Sequence, residues 1–328
     1  MVQLHNFSLI ACRFRLSRMR FRQKGAALML LVFLLALVLM TVLVRSITGV
    51  EYRAESVFKT AKVLDDAKAA LLGWSVIQNN PGQLPCPEDT SLIGLPTEGQ
   101  AKSTCTLPAI GRLPWRTLGL GDIRDANNDK LWYVISSGFR NPPINTNTLA
   151  QLSVNGTPNS AVAIIFSVGV PLGSQSRPTP TSSAPPDVVQ YLDLSNNAGT
   201  ASFVTSGAIN DFNDRLQIIT KTELFSLVTK RILAEVRGDS SQGLFKFHAD
   251  YGTYPYADIN NDGFADAGNS SGTPSYQGVL NSLYFSTAKK NTLLNNGWYS
   301  LINYNYTVPS GIPQVTLTLN AQTIVVTP

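Results

Sequence analysis

The stretch RFRQKGAALMLLVFLLALVLMTVLVR, Arg20–Arg45, constrains this chain more than any other. A basic run leads into one glycine, then into Ala26–Val44 without a charge, then back to arginine. As a helix that uncharged run extends about 28 Å at ~1.5 Å per residue, enough to cross the hydrocarbon core of a bilayer. Arg13, Arg15, Arg18, Arg20, Arg22 and Lys24 precede it, with no acid among residues 1–25. Positive charge keeps such a flank in the cytoplasm, so the rest of the chain is expected on the far side. Three fates are open: a cleaved secretion signal, a permanent anchor, or processing at the glycine. A secretory signal has a shorter apolar core and a small-x-small cleavage site. The far flank here, VRSITGVEYRAES, is a poor site and continues a helical pattern.

The net charge of +5 over 328 residues belongs largely to that leader. Without its six basic residues the remainder is nearly neutral and has no electrostatic footprint for nucleic acid. Charged residues are 14 % of the chain, against roughly a quarter in ordinary soluble domains. Plentiful Gly, Pro, Ser, Thr and Asn suit a loop-rich, β-containing body outside the cytoplasm. Cys12 lies in the leader, whereas Cys86 and Cys105 flank PCPEDTSLIGLPTEGQAKSTC. In an oxidising compartment these two are expected to form a disulfide; two free buried thiols are the alternative.

The helical pattern runs on past the membrane segment. Ala54, Val57, Phe58, Ala61, Leu64, Leu71 and Leu72 recur at three- and four-residue spacing, which predicts an amphipathic face. Gly73 and NNPGQLP end it near residue 79. The chain therefore divides into a leader over 1–25, a helix over 26–79 with its membrane part over 26–44, and a head. The head has a first part over 80–173, a Pro/Ser-rich segment over 174–187 that reads as a linker or a long loop unable to pack, and a second part over 188–328 with the candidate calcium loop. Strands are predicted at Leu131–Ser136, Ala161–Val170 and Leu216–Ile219, and a hairpin or edge strand in VTLTLNAQTIVVT. Thr220 and Glu223 supply a capping box for a following helix. The expected fold class is α+β: a long N-terminal helix carrying an antiparallel-sheet head.

A basic leader, a glycine and a long apolar helix that continues beyond the membrane resemble the class III signal of type IV pilins and type II secretion pseudopilins. The LPCP, GRLPWRTLGL, LWYVIS and NDRLQIIT segments also resemble a set of large pilin-like proteins of proteobacteria with no assigned role. The resemblance implies cutting between Gly25 and Ala26 by a prepilin peptidase, which also methylates the new N-terminus. It implies a bacterial inner-membrane protein with its head in the periplasm and other pilin or pseudopilin subunits as partners. The family's major subunits carry a glutamate at the fifth mature position; Leu30 stands there. A buried acid of that kind needs a partner charge, so its lack points to a minor or tip subunit of a pilus or pseudopilus. A permanently anchored periplasmic binding or scaffold protein is the rival.

Chemistry is sparse. DINNDGFADAGN places Asp258, Asn260, Asp262, Phe264 and Asp266 at positions one, three, five, seven and nine of a calcium-loop spacing, with Gly263 at six. Hard oxygens at alternate residues and a carbonyl at seven suit Ca2+. Position twelve is Asn269 rather than a bidentate acid, so weak binding or an ion-free Asn/Asp/Gly turn are the two readings. Asp125, Asn127 and Asp129 repeat the spacing without the glycine and read as a turn. His248 is the one histidine beyond the leader, and no G-x-S-x-G brackets a serine. No enzyme activity is expected. The late aromatics, among them Tyr251, Tyr254, Tyr256, Trp298 and Tyr304, read as packed strands or as a binding face.

Overall fold

The computed structural model describes residues 26–208, 210–278 and 283–328. The leader, with Gly25 and the six basic residues, lies outside the described residues. Helix α1 spans Ala26–Ile77, close to the 26–79 read from the sequence. The chain divides into two units, Met1–Glu55 and Ser56–Pro328. In the first, the described side chains from Leu28 to Val42 are all exposed. Among the described residues no helix is long and apolar enough to cross a membrane. The side chains of residues 26–27 and 43–52, which complete the sequence-derived span, are outside the described set.

The second unit is α+β, with its strands almost wholly antiparallel. Strands β1 (Ala109–Arg112), β2 (Trp132–Ile135), β3 (Leu152–Val154), β4 (Thr157–Ala161), β5 (Ala163–Ser167), β6 (Ser202–Phe203) and β7 (Arg215–Ile219) precede helices α2 (Lys221–Arg237) and α3 (Gly243–Tyr251). Strand β8 (Ser271–Gly272), helix α4 (Thr287–Asn295) and strands β9 (Asn303–Thr307), β10 (Gln314–Leu319) and β11 (Gln322–Val326) complete the order. They form sheets β1-β2-β5-β7, β11-β10-β9-β8 and β4-β3-β6. The only parallel pair among them is β3 with β6. Strand β7 lies beyond the Pro/Ser-rich segment and pairs with β5 before it, so both parts of the head share one sheet.

Local chemistry explains the elements that position the site. β2 and β5 are buried along their whole length, as strands covered on both faces must be, and their sequences WYVI and AIIFS are accordingly apolar except at Ser167, whose hydroxyl donates to Asp125. Thr220 caps α2: its hydroxyl accepts from the Glu223 amide, and Glu223 reaches back to the Thr220 amide. Lys68 of α1 then donates to Glu223 and to the Ile218 carbonyl. The packed face of α1 keeps Leu64, Leu71 and Leu72 of the predicted one and departs from it at its N-terminal end. Thr60, Leu64, Ala67, Leu71 and Ser75 are buried, whereas Val57 and Phe58 are 45 % and 72 % exposed. The head begins to cover the helix only at Thr60, whose hydroxyl accepts from the Ala126 amide.

The segment read as unable to pack is pinned instead. Arg177 donates to Asp129 and to the carbonyls of Val168, Gly169, Gln190 and Tyr191. One guanidinium satisfies so many acceptors because its five donors fan out in a plane. The Pro-rich chain around it is thereby held over the sheet without any apolar core of its own.

Candidate functional site

Three features carry functional weight. The first is the apolar face of α1, which Ala26 opens. Leu28 is 71 % exposed, Met29 78 % and Leu30 63 %, and Thr41, the run's one hydroxyl, is satisfied by the Val38 carbonyl. An exposed apolar surface this continuous is not sustained in water.

The second is the loop from Asp258 to Asn269. Asp258 is buried, and its carboxylate accepts from the amides of Asn260, Asn261 and Gly263. Asp262 accepts from the Phe264 amide and the Asn260 side chain. Gly263 turns at φ 89°, and a Cβ there would lie 2.7 Å from the Tyr276 ring, so the position admits only glycine. Asp266 is directed to the Ile259 amide, and Asn269 closes the loop through main-chain bonds with Asp266 and Ala257. Among the described residues no group of three or more His, Cys, Asp or Glu gathers to hold a metal ion. The loop is held by carboxylates capping its own amides. Asp125 does the same for Asn127 and Asp129, with Ser167 on its other oxygen. His248 packs its ring on Tyr254, and Asp250 is ion-paired with Lys246. Most of the late aromatics are core: Trp298, Tyr299, Tyr254 and Tyr304 are buried, while Tyr251 and Tyr256 remain exposed.

The third feature is a cleft that the sequence did not single out, built beside the disulfide that it did. Cys86 and Cys105 are disulfide-bonded, with Cα atoms 5.9 Å apart. The bridge draws residues 87–89 against 100–102 and lays Glu88 beside β1, its amide donating to the Arg112 carbonyl. Arg112 is the register partner of Trp132 in β2. Glu88, Arg112 and Trp132 thus lie on three neighbouring extended segments and line one cleft of about 780 Å3 together with Pro186 and Val188.

Glu88, Lys102, Arg112 and Asp187 line the cleft, and none of them forms an ion pair among the described residues, whereas other charges in this part of the head do. Lys130 is bound by Glu98 and Asp122, Arg124 by Asp122, and Arg177 by Asp129. Glu88 and Arg112 are 2 % and 6 % exposed, yet neither Glu88 oxygen has a hydrogen-bond partner, nor does Arg112 Nε or Trp132 Nε1. Arg112 lies 6.0 Å from the centre of the Tyr191 ring. Burial raises the Glu88 carboxyl, against the opposing pull of Lys130 and Arg112. The Gly99 amide pulls on it too, but falls short of hydrogen-bond geometry. Leaving a buried ionic group unpartnered costs several kcal/mol.

No family model matches the chain, and no curated protein or solved structure matches it either.

Proposed function

We propose that the chain is a minor or tip subunit of a type IV pilus or type II secretion pseudopilus. It enters the bacterial inner membrane with its N-terminus in the cytoplasm, is cut after Gly25 by a prepilin peptidase, and packs against other pilin or pseudopilin subunits through α1. Its head stands in the periplasm. The observation that carries this reading is the apolar run Leu28–Val42, exposed throughout and free of charge. Leu30 at the fifth mature position gives it no acid with which to pair a neighbour's amine, which favours a subunit used once over one that repeats along a filament.

Intact-mass analysis of the membrane-extracted chain, with and without a co-expressed prepilin peptidase, tests this. The expected result is a peptidase-dependent chain that starts at a methylated Ala26. Retention of Met1–Gly25 in both cases would sink the proposal and leave a permanently anchored periplasmic binding or scaffold protein.

Within this reading the loop at Asp258 takes Ca2+ weakly. Asp258, Asn260 and Asp262 side-chain oxygens and the Phe264 carbonyl are the hard donors that the ion prefers, and Asp266 is turned aside. With no bidentate acid at Asn269, affinity falls near the millimolar values of extracellular modules. Calcium at ten times such a Kd stabilises by about 1.4 kcal/mol. Unfolding midpoints in calcium, in magnesium and in chelator should differ by that calcium-specific amount. Equal midpoints would mean that carboxylate–amide bonds alone maintain the loop.

A further inference from the structure

We propose that the cavity between the disulfide loop and the Pro-rich segment binds a small aliphatic molecule through one carboxylate, held by Arg112. The proposal does not depend on whether the chain enters a filament.

Arg112 lines a second space besides the cleft beside β1. This cavity, of about 400 Å3, is bounded by Ile93, Gly94 and Glu98 of the disulfide loop and by Arg177–Pro180 of the Pro-rich segment. Its size is that of a small-molecule site. The Arg112 guanidinium carbon lies 6.0 Å from the centre of the Tyr191 ring, and that of Arg177 lies 5.2 Å from it. Tyr191 lines this cavity and not the cleft. No nitrogen of the Arg112 side chain donates a hydrogen bond among the described residues. Nε is enclosed, whereas Nη1 and Nη2 keep accessible surface.

The other charges on the wall are engaged. Arg177 donates to Asp129 and to main-chain carbonyls, Lys130 is held by Glu98, and Arg124 by Asp122 and the Asn128 carbonyl. Glu98 also accepts from the Gly94 amide. Glu88 attracts Arg112 at a distance, but its enclosed oxygens form no bond to it. Among the described residues Arg112 is therefore the one lining cation without a bonded anion. Four basic and two acidic side chains line the cavity, so its wall favours an anion.

The form of that anion follows from the same residues. The two Nη donors of a guanidinium meet the two oxygens of one carboxylate in parallel, as a charge-assisted pair. Glu98 and Asp129 repel a second negative charge, which sets a carboxylate above a phosphate dianion. Ile93, Pro178 and Pro180 supply apolar contact for an aliphatic body. Tyr191 is 4 % exposed and presents no open ring face for a sugar or an aromatic ligand.

The test is transverse relaxation of the methyl protons of propionate, titrated with the full chain in detergent micelles. Saturable broadening is expected at millimolar propionate and none with propionamide, which keeps the shape and lacks the charge. Equimolar chloride should leave the broadening intact, and methyl phosphate should compete at least tenfold more weakly than acetate. Arg112→Gln should weaken propionate binding at least tenfold. Arg124→Gln removes a wall charge already held by Asp122 and should change it less than twofold. The propionamide, chloride and phosphate arms use the unaltered protein, so the result stands even if a variant fails to fold. No saturation at millimolar propionate, equal broadening of propionamide, displacement by equimolar chloride, equal competition by methyl phosphate, or undiminished binding by a folded Arg112→Gln protein would each overturn the proposal. So would an equal loss in both variants.

Discussion

Reduction of the Cys86–Cys105 disulfide should destabilise the head by about 3 kcal/mol, the chain-entropy value for closing a loop of roughly twenty residues. That corresponds to about two powers of ten in the unfolding equilibrium. The structure gives the loop further reason to matter. Besides Glu88 it contains Glu98, which holds Lys130, and Gly99, at φ 89° with Trp115 packed against it. A Cβ on Gly99 would sit 2.2 Å from the Trp115 ring. The bridge therefore fixes part of the cleft lining and the acid that holds Lys130. Guanidinium unfolding of the full chain with and without a thiol reductant measures the effect. A midpoint unchanged by complete reduction would show that main-chain pairing between 87–89 and 100–102 suffices by itself.

Much of the scaffold was legible because its signals are local. A run of strand-forming residues made β2 and β5 readable, and Thr220 with Glu223 marked the start of α2 from two residues three apart. The closing hairpin appeared as β10 and β11, with Leu319 paired to Gln322 across Asn320 and Ala321. The packed face of α1 was legible only in its second half, where Leu64 and Leu71 are buried and Leu72 packs on the core. Val57 and Phe58 have the hydrophobicity of a buried stripe, and only the position of the head at Thr60 shows that they lie beyond it. The cleft was harder still. Glu88 lies in PCPED and Arg112 in GRLPW, both among prolines and glycines that carry no period, so nothing local distinguishes them from solvated charges. Burial came to them from elsewhere: the disulfide set Glu88 against β1, pairing with β2 set Arg112 beside Trp132, and Arg177 held the Pro-rich segment in place. The calcium spacing shows the converse. Its pattern was plain, yet Asp266 turned to an amide, a choice that spacing cannot encode.

Replacing Asp214 by Asn should stabilise the head at pH 8 by roughly 2–4 kcal/mol and leave it nearly unchanged at pH 4, on the scale of 1.36 kcal/mol per pKa unit. Asp214 is 4 % exposed, and its Oδ1 has no partner. Its Oδ2 accepts from the Asp193 amide and the Asn196 side chain. Asp193, a second buried carboxylate, accepts from the amides of Asn213 and Asp214 and from Gln175. Burial, reinforced by the charge of Asp193, pushes Asp214 up to about 7, while its two hydrogen bonds and Arg177 hold it back. The folded chain thus retains a proton between about pH 4 and pH 7 that the unfolded chain has released. Stability tied to this group is complete below the unfolded value, falls as pH rises toward 7 and is flat above it. An amide keeps the acceptor that Asp193 and Asn196 use and removes the charge that burial penalises. Unfolding free energies of both proteins at several pH values isolate the effect, because the other titrating groups are common to the two. If the difference between them is the same at pH 4 and pH 8, Asp214 is ionised in the fold and its neighbours satisfy it as a carboxylate.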